Sequence, residues 1–297
     1  MKRIFALAAG LLVALPSAAL AQRDFSKVEI TAVEAAPGVY MLQGAGGNMG
    51  LSVGPDGAFL VDDQFAPLSG KIAAAIEKVS KKPVRFIVNT HWHGDHTGGN
   101  EAFGAKDAII VAHDNVRKRL KDGLKRENSE TPPAAAGALP VITFAASATF
   151  YWNGQDIEIR HPDPAHTDGD AIVRFSPANV IHMGDTFFNG GFPYIDLESG
   201  GDLDGLIAAQ EWALAVIDEE TKVIPGHGGL SSKADLERYV AMLKDVRTRI
   251  QALIDSGLDE QAAIKADPLK DLSDEWGAGF INAEAMTRAA YRSLSKG

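Results

Sequence analysis

Three imidazoles and a carboxylate within six residues, His91-Trp92-His93-Gly94-Asp95-His96, constrain this chain more than any other feature it carries. They follow directly on Val84–Val88, an apolar run that reads as a buried strand, so the donors sit at a strand end. In an extended or tightly turned loop, His91 and His93 share one side and can bind one metal ion. Asp95 and His96 then point toward a second position a few ångströms away. Imidazole nitrogen with carboxylate oxygen suits zinc best, and iron or manganese can occupy the same donors. The Gly98-Gly99 pair that follows lets the backbone turn tightly and start a helix beside the site.

A histidine-rich surface loop that picks up metal adventitiously is the plain alternative. Against it, further donors recur at other strand ends. His166 lies in Ala165-His166-Thr167-Asp168-Gly169-Asp170, Asp185 in Gly184-Asp185-Thr186, and His227 in Pro225-Gly226-His227-Gly228. Taken singly, each is more often a structural polar residue than a ligand. Together with the hexapeptide they make seven donors, enough for two closely spaced zinc ions if water fills the remaining positions. The chain has no cysteine, which excludes disulfides, thiolate-bound zinc, iron–sulfur clusters and thiol nucleophiles.

The pattern around these donors is that of a mixed α/β domain. Short Val-, Ile- and Leu-rich runs at Val28–Val33, Val39–Gln43, Gly50–Val53 and Ala58–Val61 read as strands, the last two joined by the turn Gly54-Pro55-Asp56-Gly57. Leu68–Ser80 has helical spacing and precedes Val84–Val88, forming a βαβ unit. Ala108–Val111 reads as a strand, Asn115–Leu124 as a helix and Arg126–Pro140 as a long exposed loop. Strands follow at Val141–Phe144, Ala148–Tyr151, Ile157–His161, Ala171–Phe175 and Val180–His182, then a helix at Leu203–Ile217 and a short strand at Val223–Ile224. From Ser231 onward the chain is mostly helical. Strand-rich halves, each followed by helices, predict two sheets with helices outside, a four-layer αββα sandwich with the donors at the strand ends.

Residues 1–21 read as a leader. Lys2 and Arg3 precede an apolar run, Ile4–Leu15, and Ala19-Leu20-Ala21 is a small-x-small cleavage site. Residues 22–297 then form one domain, placed in the periplasm or outside the cell. An uncleaved anchor is the alternative, but the run is short for a membrane span and Pro16 ends it. The formal net charge is −10, and loss of Lys2 and Arg3 takes it to −12, so a nonspecific grip on nucleic acid is not expected. The oligomeric state is not legible.

The ordered set His-x-His-x-Asp-His, Ala-His-Thr-x-Gly-Asp, Gly-Asp-Thr and Pro-Gly-His-Gly resembles the metallo-β-lactamase superfamily, from about Val28 to Leu230. The resemblance implies that His91, His93 and His166 hold one zinc, that Asp95, His96 and His227 hold the other, and that Asp185 bridges them. Asp63, in Val61-Asp62-Asp63, resembles the family's buried acid behind the ligands; a simple strand-end cap is an equal reading. His182, His113 and His161 read as structural or ordinary polar residues, and Trp92 as packing beside the site.

Such a site implies hydrolysis. Two zinc ions sharing a water lower its pKa toward neutrality, so that it can attack a small-molecule carbonyl. Asp95 could orient that nucleophile and pass a proton to the leaving group. The bond attacked is not set by the scaffold. Asp185 and Phe188 stand where some zinc β-lactamases carry Cys and a cation, and an Asp at the former position is similar to glyoxalase II-type thioesterases and lactonases. Export favours an envelope substrate, so β-lactam hydrolysis is placed ahead of thioester, lactone or ester hydrolysis. A non-hydrolytic metal-binding module remains as a different class. Phe188, Phe192 and Tyr194 are candidates for an apolar substrate wall, with core packing as the alternative. The turn Gly44-Ala45-Gly46-Gly47-Asn48 is expected to be mobile from its three glycines.

Overall fold

The computed structural model describes residues 24–125 and 130–296. The leader expected at 1–21 lies outside them, as do four residues of the loop expected at 126–140. Fourteen strands and nine α-helices alternate along the described chain. The first half contains β1 (Thr31–Ala36), β2 (Val39–Gln43), β3 (Met49–Ser52), β4 (Ala58–Val61), α1 (Ser69–Val79), β5 (Val84–Val88), α2 (Gly94–Thr97), α3 (Asn100–Gly104), β6 (Ile109–His113) and α4 (Asp114–Asp122). A two-residue hairpin follows, β7 (Leu124–Lys125) with β8 (Glu130–Thr131), and then β9 (Ile142–Phe144). The second half contains β10 (Ser147–Trp152), β11 (Gln155–Arg160), β12 (Ile172–Phe175), β13 (Val180–His182), α5 (Leu203–Val216) and β14 (Lys222–Ile224). It closes with α6 (Lys233–Asp255), α7 (Glu260–Lys265), α8 (Ser273–Trp276) and α9 (Ala283–Leu294).

The strands form a seven-stranded sheet, β1-β2-β3-β4-β5-β6-β9, and a five-stranded sheet, β10-β11-β12-β13-β14. The central pairs β4–β5, β5–β6 and β13–β14 are parallel. Apart from Arg85 and Lys222 near strand starts and His113 and His182 at strand ends, successive side chains of these central strands are apolar on both faces, the mark of a sheet covered twice. Phe59, Val61, Val88 and Val111 face Ile159, Val173, Phe175 and Ile224 across the gap between the sheets. Their neighbours Leu60 and Ile87 turn outward to Ile72 and Ile76 of α1. On the far side, Ile181 and Val223 turn outward to Leu206 of α5 and Leu243 of α6. The four-layer αββα sandwich expected from the sequence is the architecture observed.

The differences are local. The first strand starts at Thr31 rather than Val28, because Val28 and Ile30 pack against the α1 side of the sheet before pairing begins. The strand expected at Val141–Phe144 pairs parallel to β6 and so completes the first sheet. The boundary between the halves therefore falls after Phe144, which local periodicity cannot reveal. No helix among the described residues is long and apolar enough to cross a membrane.

Candidate metal centre

All seven donors converge where the two sheets present their strand ends. β5 runs into the hexapeptide, α2 forms over Gly94–Thr97, and the β13 and β14 exits deliver Asp185 and His227. His166 arrives from the loop before β12. Donor atoms of His91, His93, His166 and Asp185 lie within 4.8 Å of one another, and those of Asp95, His96 and His227 do likewise. Asp185 faces both groups: its Oδ2 lies 3.7 Å from His91 Nε2, 3.6 Å from His166 Nε2 and 3.5 Å from His227 Nε2, and its Oδ1 lies 3.1 Å from His96 Nε2. Two glycines make this approach possible. A Cβ at Gly226 would collide with Asp185 Oδ1, and a Cβ at Gly47 would collide with the His96 ring.

The donor set fits metal. Among the described residues, His91 Nε2, His96 Nε2 and Asp185 Oδ1 are buried without a hydrogen bond of proper geometry. Buried polar atoms without partners are costly, and a cation supplies the partner they lack. Burial holds His91 well below the ordinary imidazole range, helped by the neighbouring His96, and pushes His166 down to about 4. Both are therefore neutral imidazoles with a lone pair to give. For Asp185, burial acts upward, but His96, His227 and His91 hold the carboxyl well below its usual range. His96 goes the other way, because Asp185, Asp62 and Asp95 outweigh burial and raise it. A carboxylate pocket that draws protons onto histidine in this way is a pocket built for positive charge.

Behind the donors, hydrogen bonds set the orientation of the rings. His91 Nδ1 lies 3.1 Å from Thr90 Oγ1, His93 Nε2 2.9 Å from Asp196 Oδ2, His96 Nδ1 2.7 Å from Asp62 Oδ2, and His166 Nδ1 2.6 Å from the Tyr194 carbonyl. Such contacts fix the tautomer and present the other nitrogen to the metal. They also correct one expectation. The acid behind the ligands is Asp62, whose carboxylate also accepts from Thr90 N and Thr90 Oγ1, whereas Asp63 accepts from Gly99 N and serves as the cap. The reason is backbone geometry: Asp62 has φ 61° and Gln64 φ 55°, so the chain turns out of β4 in the left-handed region and aims Asp62 at His96. Residue order at a strand end shows neither feature. Asp196 was equally hidden, since it reaches His93 from a loop 103 positions away.

The remaining residues divide. Trp92 is buried against Ala112, Val116 and Leu120 beside the site. His182 is buried and bonds the Asn48 carbonyl, a structural role. His113 and His161 stack face to face at 3.7 Å, away from the donors. The turn at 44–48, expected to be mobile, is tied at its second half. Gly47 N donates to the Asp95 carbonyl, Gln64 Nε2 donates to the Gly47 carbonyl, and Asn48 bonds the backbone at Gly226, Pro225 and Gly228. Its glycines serve close approach, Gly44 to Gln64, Gly46 to Asp95 and Gly47 to His96, more than freedom.

A cleft of about 820 Å³ opens over the donors. Phe188 and Tyr194 line it half-buried, with the Phe188 ring stacked on His227 at 5.1 Å. Phe192 reaches the same cleft but is 2% exposed and belongs to the helical core, so core packing is its main role. Phe65 and Phe280, which the sequence reading passed over, also line the cleft. No lysine or arginine does, among the described residues.

Comparison with known proteins agrees with this geometry. Residues 43–227 match the sequence model of the metallo-beta-lactamase superfamily. A hydroxyacylglutathione hydrolase of Nitrosococcus oceani is 29% identical over 62% of this chain and 66% of its own length. A metallo-beta-lactamase type 2 of Bacillus cereus is 26% identical over 63% and 69%. The chain thus spans about two thirds of the length of these relatives. Among solved structures, a metallo-beta-lactamase from Pontibacter korlensis superposes with a TM-score of 0.60 at 21% identity, covering 74% of this chain and all of the other. A stereoselective inverting sec-alkylsulfatase from Pseudomonas superposes at 0.67 with 16% identity, covering 89% and 50%. Four motifs in order, the αββα sandwich and a match over more than half its length place this chain in the metallo-beta-lactamase superfamily of metallohydrolases.

Proposed function

We propose that this protein is an exported, dinuclear zinc hydrolase that opens β-lactam rings. The observation that carries the reading is the pair of donor sets meeting at Asp185 on the floor of a cleft walled by aromatic rings and free of lysine and arginine. Bound zinc would acidify a water and polarise the substrate carbonyl. The chain's own residues supply the rest. Asp95 is 28% exposed in the cleft, with Oδ2 3.5 Å from His227 Nε2, so its carboxylate can accept a proton and return it to the leaving nitrogen. Phe188 keeps its ring flat against His227 and screens that side of the reacting carbonyl from water. Export rests on the basic and apolar leader with its Ala19-Leu20-Ala21 site, and an N-terminus at Gln22 in the mature protein is the expected result.

A second reading, thioester hydrolysis, draws on the relatives named hydroxyacylglutathione hydrolase. The cleft offers no lysine or arginine to the two carboxylates of glutathione, a larger deficit than for a β-lactam, which carries one. The deciding experiment is elemental analysis of the purified protein followed by turnover on lactam, lactone and thioester panels. About two zinc equivalents and lactam turnover support the proposal. Metal-free protein, or thioester turnover alone, overturns it.

A further inference from the structure

The cleft is completed from outside the segment that matches the family. Phe280 lies 53 positions past the end of that match at residue 227, in a glycine-containing turn, Gly277-Ala278-Gly279-Phe280-Ile281, between α8 and α9. It is 87% exposed, the most exposed of the large apolar side chains among the described residues. A phenyl ring held in water costs hydrophobic free energy unless something covers it in use. Its surroundings show that the position is built. The base of the turn, Trp276, is buried, packs on Tyr239, and accepts a hydrogen bond at its carbonyl from Phe192 N at 2.8 Å. That bond joins the C-terminal turn to the aromatic loop that lines the cleft. From there the Phe280 ring meets Tyr194 edge-on, with centroids 6.1 Å apart, and Tyr194 in turn lies 5.8 Å from the His93 ring. Phe65, held by Phe25 at 5.2 Å, lines the same cleft from the first sheet's side.

We propose that Phe280 is a specificity-determining residue: with Tyr194 it forms a jaw, opposed by Phe65, that grips an uncharged aryl side group of the substrate. The charges support the uncharged class. No lysine or arginine lines the walls where Phe280 and Tyr194 stand, so an anionic side group would find no partner there. Edge-to-face contact with an aryl group is the mode the ring pair already displays. The proposal rests on the hydrolase reading only for its kinetic arm.

The test compares the zinc-loaded wild type with Phe280→Ala and Phe280→Tyr. Two lactams sharing one bicyclic core are used, benzylpenicillin and 6-aminopenicillanic acid, which lacks the phenylacetyl group. In parallel, binding of N-phenyl-2-phenylacetamide, a neutral unstrained amide, is titrated by NMR to metal-free protein. Phe280→Ala should raise KM for benzylpenicillin about 3- to 10-fold, leave kcat and the aminopenicillanic acid constants unchanged, and weaken the amide by the same factor. Phe280→Tyr should restore both, and the melting temperature should stay constant because the ring is exposed. Equal changes on both lactams, or amide binding indifferent to Phe280→Ala, overturn the jaw. If no lactam is turned over, the lactam reading fails, and the amide titration still decides the jaw.

Discussion

The two donor sets share one carboxylate but differ in their surroundings. In the first, the side chains of His91, His166 and Asp185 are at most 5% exposed and His93 is 17% exposed, and each imidazole is tethered from behind by Thr90, Asp196 or Tyr194. In the second, only His96 is enclosed; Asp95 and His227 are 28% and 34% exposed and open onto the cleft. Tethered, buried donors are preorganised and exclude water, so an ion there would be held firmly. Donors at the cleft keep space for water and substrate, at the expense of a looser ion. The difference teaches that, in the proposed dinuclear hydrolase, the closed set would anchor its ion and the open set would do the chemistry.

The largest expected effect comes from removing what the two sets share. Asp185→Ala should reduce zinc content from about two ions to one or fewer and lower turnover by more than about 100-fold. Normal turnover in that variant would show that the sets do not depend on a common carboxylate. Next, His227→Ala should empty the open set alone. Elemental analysis should find about one zinc, and chelator titration, expected to be biphasic in the wild type, should become a single slow phase. Loss of both ions together would erase the distinction between the sets.

Two positioning acids sharpen the contrast. Asp196→Asn acts on the first set through His93, and Asp62→Asn on the second through His96. Each should weaken its own site by about 10- to 100-fold in zinc affinity, measured by competition with a chromophoric chelator. Asp62→Asn should also lower stability by about 1–3 kcal/mol in denaturant unfolding of the metal-free protein, since Thr90 loses charged acceptors. An identical loss at both sites from either variant would argue for general loosening. Gly47→Ala reaches the same donor by sterics, since its methyl would stand on the His96 ring and its Nε2. Zinc affinity of the open set should fall about as far as in Asp62→Asn while the closed set is unchanged.

Much of this molecule can be read from local order, for a physical reason. Strands betray themselves by period, and a strand end that carries ligands needs donors and glycines adjacent in sequence, so His91, His93, Asp95 and His96 announce themselves within six residues. The alternation that buries both faces of β4, β5 and β13 likewise foretells two covered sheets. What local order does not encode is direction in space. Whether Asp62 or Asp63 faces His96 depends on two left-handed backbone angles after β4. Asp196 and Phe280 carry no motif of their own, and they matter because folding brings a loop and a C-terminal turn to the same cleft. The chemistry of the donors was determined by residue type and spacing; their second hydrogen bonds, their division into a closed and an open set, and the shape of the substrate wall were decided only by tertiary packing, because those depend on contacts between residues tens to hundreds of positions apart.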